Sequence, residues 1–523
     1  MALELGAHII PQIVLIIAFG VIAARIGRHL RIPQVLPLLI TGYLIGPDML
    51  NLLHPSQFGV TLEFLAFATV PVILFYEALK TDFDNLRQRA RAVFSIVTLA
   101  VAVTVIGIAV FAKFFLNLSW EYSFLLGAIL SSTDPAAILP VLRKLNVSRK
   151  VATVLEAETA LNDASAITIF VIVLAAASGS TVTLQDGVAK FFTVVFWSAG
   201  VGTFVGLLAY ETFRRLRAEQ DLMLASIAVL LSTYVSAEAL GGSGPIAAVF
   251  AALLFSKFLR SRFVNAVDRL YVFGAWDDLS FFAVAIIFLS LGANLSVSTL
   301  LPFLPVGIFI GVAFMLVVRP VTVFVSLFFD KDYSFNEKLL ISWLGSPRGT
   351  VSAALASVVV ARAAQGIFPA TEALAIFSIT LVVIAVTIII SSATADRAVH
   401  YLLGISEEKE GRYLRLSTDL KASMVALSKL QQDHKSGLVS KRIYSQLENQ
   451  LATSIDAIEK ELSDLTKQEP RLEKEELAGK VRELIAVQID KIDELYSKGE
   501  ITHETYETLL EKYNSALGRL EEY

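Results

Sequence analysis

The chain has 523 residues, 55% of them hydrophobic, a formal net charge of −4 and no cysteine. That composition excludes an ordinary soluble domain and points to long spans in a bilayer. The lack of cysteine excludes disulfides and thiolate metal centres. No hydrolase, ATP-binding or nucleic-acid signature is visible, so the chain is not read as an enzyme.

Hydropathy, cut at charged or Gly/Pro breaks, gives thirteen spans. Their limits are about 9–26, 32–47, 60–79, 92–116, 120–142, 151–177, 187–211, 221–240, 245–258, 276–292, 303–329, 338–362 and 371–394. The first 24 residues lack a basic n-region and a cleavage signal, so they read as a mature span. The third span ends on Phe75-Tyr76-Glu77-Ala78-Leu79, and Glu77 is a candidate for lining an inward entrance. The fifth is interrupted by Ser131-Ser132-Thr133-Asp134-Pro135. Proline removes a donor and clashes with the preceding turn. Asp134 beside it also suits a helix N-cap. The sixth span carries Glu156, Glu158, Thr159, Asn162 and Asp163. Thr159 and Asp163, four apart, share a helix face. Glu238, closing the eighth span, is expected to be solvated. The eleventh span holds Arg319 before Pro320, and the twelfth is broken at Gly345-Ser346-Pro347-Arg348-Gly349.

Basic residues fall after odd-numbered spans: Arg25, Arg28 and Arg31 after the first, Lys80, Arg87, Arg89 and Arg91 after the third, and so on to Lys331 and Lys338. The other side offers only Lys113, Lys190 and Arg362. The positive-inside rule then puts the N-terminus outside and the C-terminal tail in the cytoplasm.

The broken spans, fifth and twelfth, lie an odd number of crossings apart and so run in opposite directions. Six spans, a linker span and six more therefore read as an inverted repeat whose two breaks cross near the midplane. Loose backbone at that depth is tolerated only beside protein or a water-filled cavity. Charges there are costly and call for a function or a partner. Asp163, Asp134, Thr133, Thr159 and carbonyls freed at the break form a set of hard oxygens, suited to an alkali cation such as Na+. Burial disfavours the charged form of a carboxylate. A site that takes either a proton or a cation, but not both, is an exchanger in itself. Glu158 is expected to pair with an intramembrane arginine, Arg319 favoured over Arg348. Arg348 has the alternative role of offsetting helix dipoles at the crossing.

Ala160-Leu161-Asn162-Asp163-Ala164, Thr133-Asp134-Pro135, Phe75-Tyr76-Glu77-Ala78-Leu79 and Ser346-Pro347-Arg348-Gly349-Thr350 together resemble sodium/proton exchangers of the NhaP/NHE type, the monovalent cation:proton antiporter-1 group. The resemblance covers residues 8–400. It implies the thirteen-span fold, a homodimer, and a six-helix core that moves past a dimer domain. It implies Asp163 as the ion carboxylate, Asn162 as a stabilising amide, and Thr133 and Asp134 as site members. Asparagine at 162 implies electroneutral exchange of one cation for one proton. No cofactor is implied; Na+ (or Li+ or K+) and H+ are the cargo. A cation channel and a non-transporting membrane sensor are alternatives on the same scaffold. A plasma membrane is the expected location.

The domains divide as 1–403, the membrane antiporter, and 404–523, a charged helical tail. The tail carries 18 Lys and Arg against 24 Asp and Glu, whereas the preceding residues carry 26 against 24. Gly437-Leu438-Val439-Ser440 with Tyr444 and Leu447 repeats as Gly499-Glu500-Ile501-Thr502 with Tyr506 and Leu509. Each copy reads as helix, glycine C-cap, Ser/Thr N-cap, helix, so two hairpins follow, divided near Pro470. A regulatory ligand or partner of the tail is not identified.

Overall fold

A computed structural model describes residues 2–468 apart from 31, 56–61, 82, 84–85, 87–88, 135–146, 148, 179–183, 217–220, 262–263, 265, 404–406 and 436–440, together with residue 488. The described residues are helical throughout, without strands. Two compact units emerge, Met1–Leu402 and Leu403–Tyr523.

In the first unit the helices are α1 (Ala2–Leu30), α2 (Val35–Ile45), α3 (Leu62–Lys80), α4 (Ala90–Leu116), α5 (Trp120–Ser131), α6 (Arg149–Ala177), α7 (Leu184–Leu216), α8 (Leu222–Ala239), α9 (Gly244–Leu259) and α10 (Ala266–Ala293). They continue as α11 (Leu304–Ala313), α12 (Arg319–Ser326), α13 (Phe335–Leu344), α14 (Thr350–Ala364) and α15 (Ala370–Leu403). Among the described residues eight helices are long and apolar enough to cross a membrane, and three shorter apolar ones accompany them. In hydrocarbon a helix satisfies its backbone internally, which is why apolar runs adopt this state and no other. Phe192, Phe196 and Phe204 of α7 stay exposed, as side chains facing lipid would.

The helices outrun the apolar stretches. α10 begins ten residues before the span expected at 276, and α15 continues past 394 to Leu403. Charged side chains at those ends do not stop a helix; they only take it out of the apolar layer. The eleventh span departs more. It opens on a single turn, Val297–Leu300, and a 3-10 turn, Leu301–Phe303. Between α11 and α12 it then widens into a π turn, Phe314–Val318. Pro320 has no N–H and crowds the carbonyl four residues back, and a wider turn relieves both.

α5 ends where the first break is expected, the rest of the fifth span lying outside the described residues, and the twelfth span is interrupted between two helices. α5 stops at Ser131, and Ser132 to Asp134 are non-helical. The helix that Asp134 would cap lies outside the described residues. α13 opens on a capping box, Ser334 with Glu337, and ends at Gly345; α14 restarts at Thr350. α5 packs on α4 and α6, while α14 packs on α3, α5, α6 and α10.

In the second unit, α16 (Glu407–Lys435) packs against α17 (Lys441–Gln468), with His434 stacked on Tyr444 at 4.2 Å. The turn of this hairpin and the whole of the expected second hairpin lie outside the described residues.

Candidate ion site at the helix crossing

The two breaks touch. The Asp134 amide donates to the Pro347 carbonyl at 2.9 Å, joining one break to the other through the backbone. A helix that stops short leaves its last carbonyls without partners. At the end of α5 these are answered from other helices. The Ile129 carbonyl accepts from Ser352 Oγ of α14 at 2.7 Å. The Ser131 carbonyl accepts from Asn162 Nδ2 of α6 at 3.0 Å. The Ser132 carbonyl accepts from Arg348 Nη1 at 3.0 Å.

Asp163 sits beside this capped end, 7% exposed. Its Oδ1 accepts from Ser132 Oγ at 2.6 Å, and the carboxylate also accepts from the Thr133 backbone amide. Asp134 and Glu77 are near enough for their charges to act on it. Asn162 also donates to Thr133 Oγ1 at 3.2 Å, and its own Oδ1 is buried without a hydrogen-bond partner among the described residues. That oxygen is chemically able to hold a cation. The Thr159 hydroxyl donates to Leu155 O of its own helix at 2.8 Å, which leaves its lone pairs as the ligating function. Among the described residues no three His, Cys, Asp or Glu converge as a metal centre.

The buried charges answer the half-helix dipoles. Arg348, fully buried, meets the negative end of α5 through the Ser132 carbonyl, and its guanidinium lies 4.1 Å from the centre of the Phe314 ring. Glu158 and Arg319 form a bidentate pair at 2.6 and 2.7 Å, 0% and 1% exposed. The Arg319 guanidinium also presses on Gly345 at the negative end of α13, so closely that a Cβ there would collide with it. The Asp134 carboxylate lies on Gly349 at the positive end of α14, where a Cβ would again collide. Glycines in the second break therefore make room for charges carried by two other segments.

Two residues escaped the reading of the sequence. Ser132 bonds Asp163 directly, yet nothing in the sequence separates it from its neighbour Ser131, which bonds its own helix. Glu238 is more than a solvated end: its Oε1 accepts from the Gly244 amide at 2.8 Å and so caps α9. Glu77 pairs with Lys80 at 2.7 Å.

The model of the sodium/hydrogen exchanger transmembrane family matches residues 13–399, which contain every element of this crossing. The chain belongs to that family. Among similar proteins, the low-affinity Na+/H+ antiporter NhaS1 of Synechocystis is 30% identical over 52% of this chain and 50% of its own length. The Na+/H+ antiporter ApNhaP of Aphanothece halophytica is 28% identical over 66% of each chain. The chain thus spans from half to about two thirds of the first curated relatives it matches. The sodium proton antiporter MjNhaP1 of Methanocaldococcus jannaschii superposes with a TM-score of 0.64 at 26% identity, over 75% of this chain and 98% of that one.

Proposed function

We propose that the protein exchanges Na+, or a related alkali cation, for H+ across a membrane by alternating access, with cation and proton competing for Asp163. One observation carries this reading. Asp163 is a buried carboxylate where the two breaks meet, and it makes no salt bridge among the described residues: Arg319 pairs with Glu158, and Arg348 donates to the Ser132 carbonyl. Its charge is left for a mobile cation. Asp134, Thr133, Thr159 and Asn162 complete the ion site in this reading, and the Glu158–Arg319 pair braces it. Exchange is one for one, because a neutral amide, Asn162, and not a second carboxylate stands beside Asp163. Thirteen spans in an inverted repeat, an external N-terminus and a cytoplasmic tail belong to the same proposal, supported by the alternation of basic loops; a homodimer, implied by the family resemblance, and a plasma-membrane location are proposed with them.

The test is Na+-driven proton flux in proteoliposomes, wild type beside Asp163→Asn, with the membrane potential clamped and unclamped. Flux lost in the variant, while the protein still inserts, and indifferent to potential in the wild type is the expected result. Potential-dependent flux refutes the one-for-one exchange. Undiminished flux in Asp163→Asn refutes the site.

A further inference from the structure

α3 ends in a small cation receptor already occupied by its own chain. The Lys80 ammonium lies 2.7 Å from Glu77 Oε1 and 4.4 Å from the centre of the Tyr76 ring. Tyr76 donates its hydroxyl to Asp277 Oδ1 of α10 at 2.8 Å. A carboxylate beside an aromatic face is a general receptor for cations. The backbone that carries Lys80 is pinned: Ser256 Oγ donates to Leu79 O at 2.7 Å, and Arg260 Nη2 donates to Lys80 O at 2.6 Å. Helix end and receptor are therefore held while the lysine side chain, 32% exposed against 15% for Glu77, still reaches water.

Glu77 looks two ways. It binds Lys80, and its charge also acts on Asp163. On the reading of Glu77 as lining the inward entrance, a cation approaching Asp163 from the basic-loop face meets Glu77 with an ammonium already on it. A pair three residues apart and open to water is weak, so it yields to a competitor at moderate concentration.

We propose that Lys80 is a tethered competitor, which lowers the affinity of the exchanger for cations offered on the basic-loop face. The proposal rests on the exchange reading given above. In it, Lys80 is no ligand of the transported ion; it occupies the approach carboxylate and must swing out before a cation can use Glu77. Affinity becomes asymmetric across the membrane, because Lys80 and Glu77 stand together at one end of α3.

The full chain, reconstituted in one orientation, decides it through the Na+ KM measured separately from each face. Lys80→Met lowers KM on the basic-loop face about two- to fivefold, leaves KM on the other face unchanged, and acts on KM more than on the maximal rate. Lys80→Arg, which keeps the charge, restores the wild-type KM. In a Glu77→Gln background, Lys80→Met has no further effect. Lys80→Gln repeats the test should the methionine variant fail to insert. An equal KM shift on both faces, a fall in maximal rate at constant KM, or no change overturns the proposal and leaves Lys80 a helix-end anchor. Absence of Na+-driven proton flux from the wild type overturns the exchange reading itself, whereas wild-type flux with an unchanged Lys80→Met overturns the competitor alone.

Discussion

At Gly349 the absence of a side chain is what lets Asp134 approach the start of α14. Gly349→Ala places a methyl against that carboxylate. The cost is expected near 1–3 kcal/mol of stability, with exchange falling about 100-fold as the crossing shifts. Thermal unfolding in detergent and proteoliposome flux measure the two effects. The Glu158–Arg319 pair invites a different experiment. A buried ion pair is a modest source of stability, but breaking one leaves an uncompensated charge. Arg319→Met should lower stability by about 3–5 kcal/mol. Adding Glu158→Gln should recover most of that loss, and the same melts read both. These carboxylates were conspicuous in the sequence because charge inside a membrane span needs a reason. The sequence favours Arg319 over Arg348 as the partner of Glu158, though the π turn just before Arg319 leaves no mark in sequence spacing. Ser132 was hidden for a plainer reason: at the break two serines stand side by side, and sequence does not say that Ser131 bonds its own helix while Ser132 turns to Asp163.

Among elements, the start of α6 is fastened to the start of α13. Lys150 Nζ lies 2.8 Å from Glu337 Oε2 and donates to the Asp332 carbonyl at 2.6 Å. Burial pushes the Glu337 carboxyl up, but bonds from Lys150 and Ser334 outweigh it and hold the group below the usual value. A carboxyl lowered in the fold contributes stability above its unfolded value, about 4.3, and loses it as pH falls through the folded value. Lys150→Met should therefore cost about 1 kcal/mol at neutral pH and progressively less below about pH 4. Denaturation measured across that pH range reads the trend. Nearby, burial pushes Tyr333 up to about 12. The start of α13 carries a local signal, Ser334 three residues before Glu337, yet the bridge from Lys150 crosses 187 positions of chain and left no local trace. Helix ends were read less well than helix cores, because polarity marks where the bilayer stops and not where the hydrogen-bond ladder does.

On the scale of the whole molecule, the acidic balance of the tail sets it apart from the membrane unit, and the chain divides at Leu402 and Leu403. We expect deletion of 405–523 to leave insertion intact and to alter either the pH profile of exchange or dimerisation. If neither changes, the tail has no regulatory or clamping role. The alternation of basic loops was the part of the topology most open to reading, since it depends only on which charges a bilayer keeps out.

The capping of α5 bears on how the protein is made. Its Ile129 and Ser132 carbonyls are answered by Ser352 and Arg348, 223 and 216 residues later in the chain. At ribosomal speeds those donors emerge roughly 10–45 s after the carbonyls do. During that wait the half-helix stands in the membrane with its end uncovered. The chain is therefore born with its centre unfinished, and a nascent chain halted before residue 345 should be a substrate for membrane quality-control proteases, while one that has passed the second break should be resistant.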